Sequence, residues 1–298
     1  MNAAQPGILL DVPEGCRYMT FGLVPGADPV EPLKALRDRG VGEEMVIGLG
    51  QSLVSALGAT VEGLRPFPTL VGPGVDIPAT PAALWIWLRG ADRGKMVHLA
   101  KELGQILSPA FRADEVVDGF KHDVTPEGMG RDLSGYEDGT ENPDGEEAIE
   151  AALVQGSGPT LDGSSFVAAQ RWVHDLPNLD RMSQEERDFT IGRRHSDNEE
   201  LEDAPESAHV KRTAQEDFEP EAFVVRRSMP WADGDSEGLV FTAFGRSLDA
   251  YEAQLTRMSG LEDGIVDALF RFSRPVTGGY FWCPPVKDEK LNLEAVGL

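Results

Sequence analysis

The sequence predicts an α+β protein of two similar halves, each an antiparallel sheet with peripheral helices. Three observations predict it. Apolar runs of strand length alternate with segments of helical periodicity along the whole chain. Their spacing leaves little room for repeated parallel crossovers, which disfavours one doubly wound sheet. Two segments about half a chain apart, LWIWLRGADRGKMVHLAKELG (84–104) and LVFTAFGRSLDAYEAQLTRMSG (239–260), also share one pattern. In each, an apolar strand runs through a Gly/Arg turn into an amphipathic helix, as duplication would leave it.

The elements follow in order. Strands are expected at 18–24 and 44–50, with a helix over 29–40 between them that begins at prolines and stops at Gly40. A short helix, 51–57, follows. The apolar run 83–90 is a strand, and 94–107 is a helix with Met96, Val97, Ala100, Leu103, Ile106 and Leu107 at helical spacing. A strand at 115–122 closes the first half. In the second half, strands are expected at 164–176, 221–231 and 238–247. Helices are expected at 182–192 and 248–260, the first opened by a capping box, Ser183 with Glu186. The boundary falls in the acidic, Pro/Gly-containing stretch 139–163, giving domains 1–145 and 146–298.

Composition removes several function classes. The 298 residues carry a net charge of −24, the wrong sign for nucleic acid or an anionic membrane surface. Cys16 and Cys283 are the only cysteines, so neither a disulfide scaffold nor a CxxC or CxxCH motif is present. The start, MNAAQPGILLDVPEG, has no basic region and only a short apolar run. No apolar stretch approaches the ~20 residues of a membrane span. A cytoplasmic chain is expected.

The segment GYEDGTENP (135–143) places Asp138 beside glycines, in irregular backbone where it cannot be a helix surface charge. It is not an EF-hand: counted from Asp138, position six is Pro143. An acidic surface turn and a loop brought close to a flat ligand both suit it. The five histidines, His98, His122, His174, His195 and His209, show no HxH, HxxxH or HExxH spacing, which argues against a local zinc site but not against one axial ligand. In FVVRRSMPW, strand alternation puts Val224, Arg226 and Ser228 on one face and Phe223, Val225 and Arg227 on the other. A guanidinium on so apolar a strand needs an anion or a cavity. Residue chemistry alone leaves three carriers of function: Asp138, one histidine and one arginine.

These segments resemble the dye-decolorizing peroxidases. GYEDGTENP is similar to the GxxDG motif of that family. IGRRHSDNEELEDAPESAHVKRT is similar to the stretch bearing its axial histidine, VVRRSMPW to the stretch bearing its distal arginine, and RFSRPVTGGYFW to its C-terminal strand. The resemblance is strong over 130–282 and weaker over 17–129. It implies a pair of ferredoxin-like domains and a haem b peroxidase that reduces hydrogen peroxide through a ferryl intermediate, oxidising dyes, phenolics or other small reductants. Residue by residue, it implies Asp138 and Arg226 as catalytic groups and His209 as the iron ligand. Asp267 would accept a hydrogen bond from His209, Arg193 would contact a propionate, and Ser228, Glu137 and Gly139 would lie at the cofactor. Trp85, Trp87, Trp172, Trp231, Tyr251 and Trp282 are either electron carriers or core. A homo-oligomer is implied too. Some relatives are packed into nanocompartments through a C-terminal tail, and KDEKLNLEAVGL shows no clear docking peptide. Three other readings remain: a haem-handling protein for storage or iron release with incidental peroxidase activity, a metal-binding module built on the acidic stretches, and a hydrolase with paired carboxylates.

Overall fold

The computed structural model describes residues 3–126 and 128–298. The first half runs β1 (Gly15–Leu23), α1 (Val30–Arg39), β2 (Met45–Gly50), α2 (Gln51–Ala56), a small hairpin of β3 (Leu70–Gly72) and β4 (Val75–Ile77), β5 (Leu84–Gly90), α3 (Arg93–Leu107) and β6 (Phe111–Phe120). Its four long strands lie side by side as β6–β1–β5–β2, all antiparallel. This is the split βαβ order of a ferredoxin-like unit.

The second half repeats it. A helix α4 (Gly145–Ala152), inside the acidic stretch, precedes β7 (Ser165–His174), α5 (Leu176–Arg181), α6 (Gln184–Ile191) and a one-turn α7 (His209–Arg212). Then come β8 (Val225–Arg226), β9 (Met229–Asp233), β10 (Ser236–Gly245), α8 (Asp249–Met258), β11 (Ser273–Pro275) and β12 (Gly279–Cys283), before a terminal hairpin, β13 (Val286–Lys287) with β14 (Lys290–Leu291). The order is β12–β7–β10–β9, the same as in the first half. The two repeated segments, β5–α3 and β10–α8, therefore occupy equivalent places.

The halves share their sheet edges. Phe281 and Trp282 of β12 pair with Gly50 and Leu49 of β2, and Gly119 of β6 pairs with Trp231 of β9. Together with the β7–β10 pairing, this closes eight strands into a barrel. Strand alternation then divides the core. Cys16, Tyr18, Trp85, Trp87, Phe244, Phe281 and Cys283 form an inner cluster, with Tyr18 stacked on Trp87 at 6.1 Å. Met19, Phe21, Ile86, Leu88, Leu36 and Leu103 form the larger cluster outside, which includes the apolar faces of the helices. No helix among the described residues is long and apolar enough to cross a membrane.

One expected strand is interrupted. The run 221–231 becomes β8 and β9, broken at Arg227 and Ser228, and Val224 and Val225 are buried in succession while Phe223 is exposed. Alternation fails because the chain turns there: Arg227 N–H still donates to Thr242 O, but its guanidinium reaches Leu9 O and Arg226 O. The capping box of α6 is present in full, with Ser183 Oγ accepting from Glu186 N–H and the Glu186 carboxylate accepting from Ser183 N–H.

Candidate active site

The loop 130–142 is shaped by its own hydrogen bonds. Asp132 N–H donates to Tyr136 O, Gly135 N–H to Asp132 O, and Asp138 N–H to Gly130 O. Gly135 and Gly139 have φ of +90° and +93°, which side-chain-bearing residues rarely adopt. A Cβ at Gly135 would also lie 2.8 Å from His195 Nε2. The glycines beside Asp138 thus serve the backbone turn. Arg131 straps the loop by donating to Gly135 O and Glu137, and Glu137 also accepts from Asn198. Asn142 ties it to β8: its Oδ1 accepts from Arg226 N–H at 2.8 Å and its Nδ2 donates to Arg226 O at 3.0 Å. The loop and Arg226 are therefore one assembly.

His209 stands at the start of α7. Arg212, one turn on, donates from both terminal nitrogens to Asp263, at 2.7 and 2.8 Å, and fixes the helix. Ala268 N–H donates to Ser207 O and draws the 267–271 turn alongside. Buried Asp267 accepts from His209 Nδ1–H at 2.8 Å, while its other oxygen accepts from Leu269 N–H. This selects the tautomer with Nε2 unprotonated. Nε2 has no protein partner among the described residues.

His209, Asp138, Glu137 and Arg226 line one cavity, whose walls include Ile191, Phe241, Leu255 and Met258. Burial raises the Asp138 carboxyl above its ordinary value, and Asp132 adds to this. Arg226, His209 and the Gly139 N–H oppose it. A second histidine pair lies in the same cavity: His174 contacts Asp132 at 3.0 Å through Nε2 and Ser273 Oγ at 2.7 Å through Nδ1. Burial alone would raise Asp132, but the charge and hydrogen bond of His174 and the bonds from Ser134 outweigh it and hold the carboxyl at about 2. Gln170 accepts from Tyr251 O–H and Trp172 Nε1–H, while its Nε2 is buried without an acceptor; all three residues line the cavity.

The expected residues are thus partly gathered. Asp138, Arg226, His209 and Glu137 line the cavity, with Asp267 directly behind His209. Ser228 and Gly139 line a neighbouring vestibule that meets the cavity at Asp138 and Arg226. Arg193 lies outside both linings, donating to Glu141 at 2.5 Å, Glu200 at 3.3 Å and Asn198 O at 3.0 Å. Sequence reasoning passed over Asn142, Asp132 and Gln170, and gave His174 only as one of five histidines. Asn142 was inside the quoted motif, whereas His174 and Gln170 read as ordinary members of an apolar strand. Every aromatic named in the sequence is buried, and only Trp172 and Tyr251 reach the cavity.

The donor set suits a flat metallated ring with anionic substituents. It offers one free imidazole nitrogen backed by a carboxylate, apolar walls, and two buried N–H groups without acceptors, Gln170 Nε2 and Arg226 Nε. A haem meets these requirements.

Comparison with known proteins agrees. Residues 129–288 match the model of the C-terminal part of Dyp-type peroxidases. The chain is 32% identical over 264 residues to the dye-decolorizing peroxidase of Mycolicibacterium paratuberculosis, covering 83% of this chain and 73% of that protein. It superposes on a dye-decolorizing protein from V. cholerae with a TM-score of 0.83 at 28% identity, covering 94% of this chain and 97% of that one. A variant of DypB from Rhodococcus jostii, solved in complex with heme, gives 0.82 at 26% identity, covering 97% and 99%. The chain belongs to the dye-decolorizing peroxidase family and is a haem peroxidase that takes hydrogen peroxide and a reductant as substrates.

Proposed function

We propose that the cavity holds a non-covalent haem b bound through His209 Nε2, and that Asp138 and Arg226 act on the peroxide. One observation carries this reading: buried Asp267 frees His209 Nε2, in a cavity to which Asp138 and Arg226 also belong. The Asp267 contact gives the imidazole anionic character and strengthens it as a ligand. When bound, the haem supplies the iron at which the O–O bond is cleaved.

The protein's own part is proton movement and charge. Asp138, when ionised, takes the proton from the inner peroxide oxygen and returns it to the outer, departing one. Arg226, beside it, stabilises the charge that develops on the departing oxygen. Asn142 holds Arg226 to the Asp138 loop during this exchange. Glu137 and Gly139 shape that loop, and Ser228 closes the vestibule side by accepting from Thr242 N–H. Arg193 holding a propionate is carried by the resemblance; a propionate there would replace Glu141 as its anion. Two free, buried cysteines support a reducing, cytoplasmic setting. Small organic reductants, a homo-oligomer and a unit boundary near residue 145 complete the proposal.

Stopped-flow mixing of the haem-loaded protein with one equivalent of peroxide tests it. Arg226→Gln should slow the Soret change by about 10²–10³-fold, the usual cost of one such group. Asp138→Asn should slow it as well. Rates within about twofold of wild type in both variants would remove these residues from the reaction.

A further inference from the structure

The vestibule beside Asp138 and Arg226 holds one accessible thioether. Met129 lines it together with both residues. Among the described methionines only Met129 and Met182 are not buried, and Met182 lies outside the vestibule and the cavity. Met229 shares the vestibule wall but is fully buried. The cysteines offer peroxide no better sulfur. Both are buried, and burial pushes the Cys16 thiol up to about 12 and raises Cys283 as well, so neither is a thiolate at neutral pH.

The backbone fixes Met129 against the Asp138 loop. Met129 O accepts from Thr125 N–H at 2.8 Å, and Met129 N–H donates to Thr125 Oγ1 at 3.3 Å. The next residue, Gly130, accepts from Asp138 N–H at 3.1 Å. The Met129 side chain lies against Gly139: a Cβ built there would sit 3.5 Å from Met129 Cε and 3.0 Å from Asn142 Nδ2. The thioether and the amide that clamps Arg226 therefore flank the same glycine. Oxidation turns this apolar chain into a polar one with a hydrogen-bond acceptor. That acceptor would compete with Arg226 O for the Asn142 Nδ2–H.

We infer that Met129 is a site of modification by the enzyme's own substrate: peroxide converts its thioether to the sulfoxide, which loosens the Asn142–Arg226 clamp and slows the peroxide reaction. The sulfur attacks one peroxide oxygen, the O–O bond breaks, and the sulfur is oxidised by two electrons. The transferred oxygen gives its proton to the departing hydroxide, which leaves as water. The step consumes peroxide alone. Only the slowing rests on the proposed role of Arg226; the oxidation does not. The result is a brake set by excess peroxide and released by reduction of the sulfoxide.

For the test, haem-loaded wild type and Met129→Leu are incubated with excess peroxide and then cleared of it. Each is divided between peptide mass spectrometry and stopped-flow mixing with one equivalent of fresh peroxide, with rates expressed per remaining haem. Met129 should gain one oxygen while Met229, on the same wall, stays unmodified. The wild-type reaction should slow by about tenfold, a cost in keeping with displacement of a positioned group. Methionine sulfoxide reductases A and B together should restore it. Treated Met129→Leu should keep its own untreated rate to within about twofold. Met129→Gln, which sets a polar chain there permanently, should be slow without treatment. An unmodified Met129, a modified Met129 with an unchanged wild-type rate, or an equal loss in Met129→Leu overturns the inference. Failure of the Arg226 reading would show separately, as an untreated Arg226→Gln that reacts as fast as untreated wild type.

Discussion

Asn142→Ala probes the joint between the Asp138 loop and Arg226. The side chain makes two hydrogen bonds to the Arg226 backbone, at 2.8 and 3.0 Å. Removing it leaves the Arg226 N–H without its acceptor, at about 1–3 kcal/mol for a buried group. The Arg226 carbonyl keeps a bond from Arg227 Nη1, so its loss is only about 0.5–1.5 kcal/mol. The sum is roughly 2–4 kcal/mol, and Tm should fall by roughly 5 °C or more in a domain of this size. Because the clamp also sets where the guanidinium sits, the peroxide reaction should slow by about tenfold or more. Asn142→Asp retains the acceptor for the N–H and should recover much of the stability. Differential scanning calorimetry and stopped-flow mixing with peroxide read the two effects. A Tm within about 1 °C of wild type, with an unchanged rate, would refute the clamp.

Three other outcomes follow from the same geometry. Asp267→Asn replaces a charged acceptor with a neutral one and should weaken the bond to His209 by about 1–2 kcal/mol, seen as a lower iron–histidine stretching frequency in resonance Raman spectra. Asp138 must be ionised to act as a base and its pKa is raised, so the acid limb of the peroxide reaction should lie above pH 3.8 and move further up in Arg226→Gln, where the opposing charge is gone. Asp132 is held at about 2 against an ordinary 3.8. A depressed carboxyl contributes stability that is present above its unfolded pKa and lost as pH falls through the folded one. Asp132→Asn should therefore cost roughly 2 kcal/mol at neutral pH and flatten the stability profile between about pH 4 and pH 2, measured by urea denaturation.

Local structure was legible where side chains decide it. The box at Ser183 and Glu186 names its own helix start, and the shared pattern of 84–104 and 239–260 marks equivalent places in the two halves. Barrel closure was not legible. It depends on backbone pairing of β12 with β2 and of β6 with β9, and alternation tells which face of a strand is apolar, not which edge it meets. The break at Arg227–Ser228 was hidden for a related reason: neither residue breaks strands, and the turn is held by carbonyls of Leu9 and Arg226. At the site, Asp138, His209 and Arg226 came from family-like segments met in order, and Asp267 from the resemblance of a segment outside them. The His174–Asp132 pair joins residues 42 apart, which no local spacing reveals.

The central claim is that His209 is the ligand of the iron. Its most direct measurement is the absorption spectrum of haem-loaded wild type beside His209→Ala. The account predicts a Soret band in wild type that is lost or displaced in His209→Ala. An identical band in both proteins would contradict it.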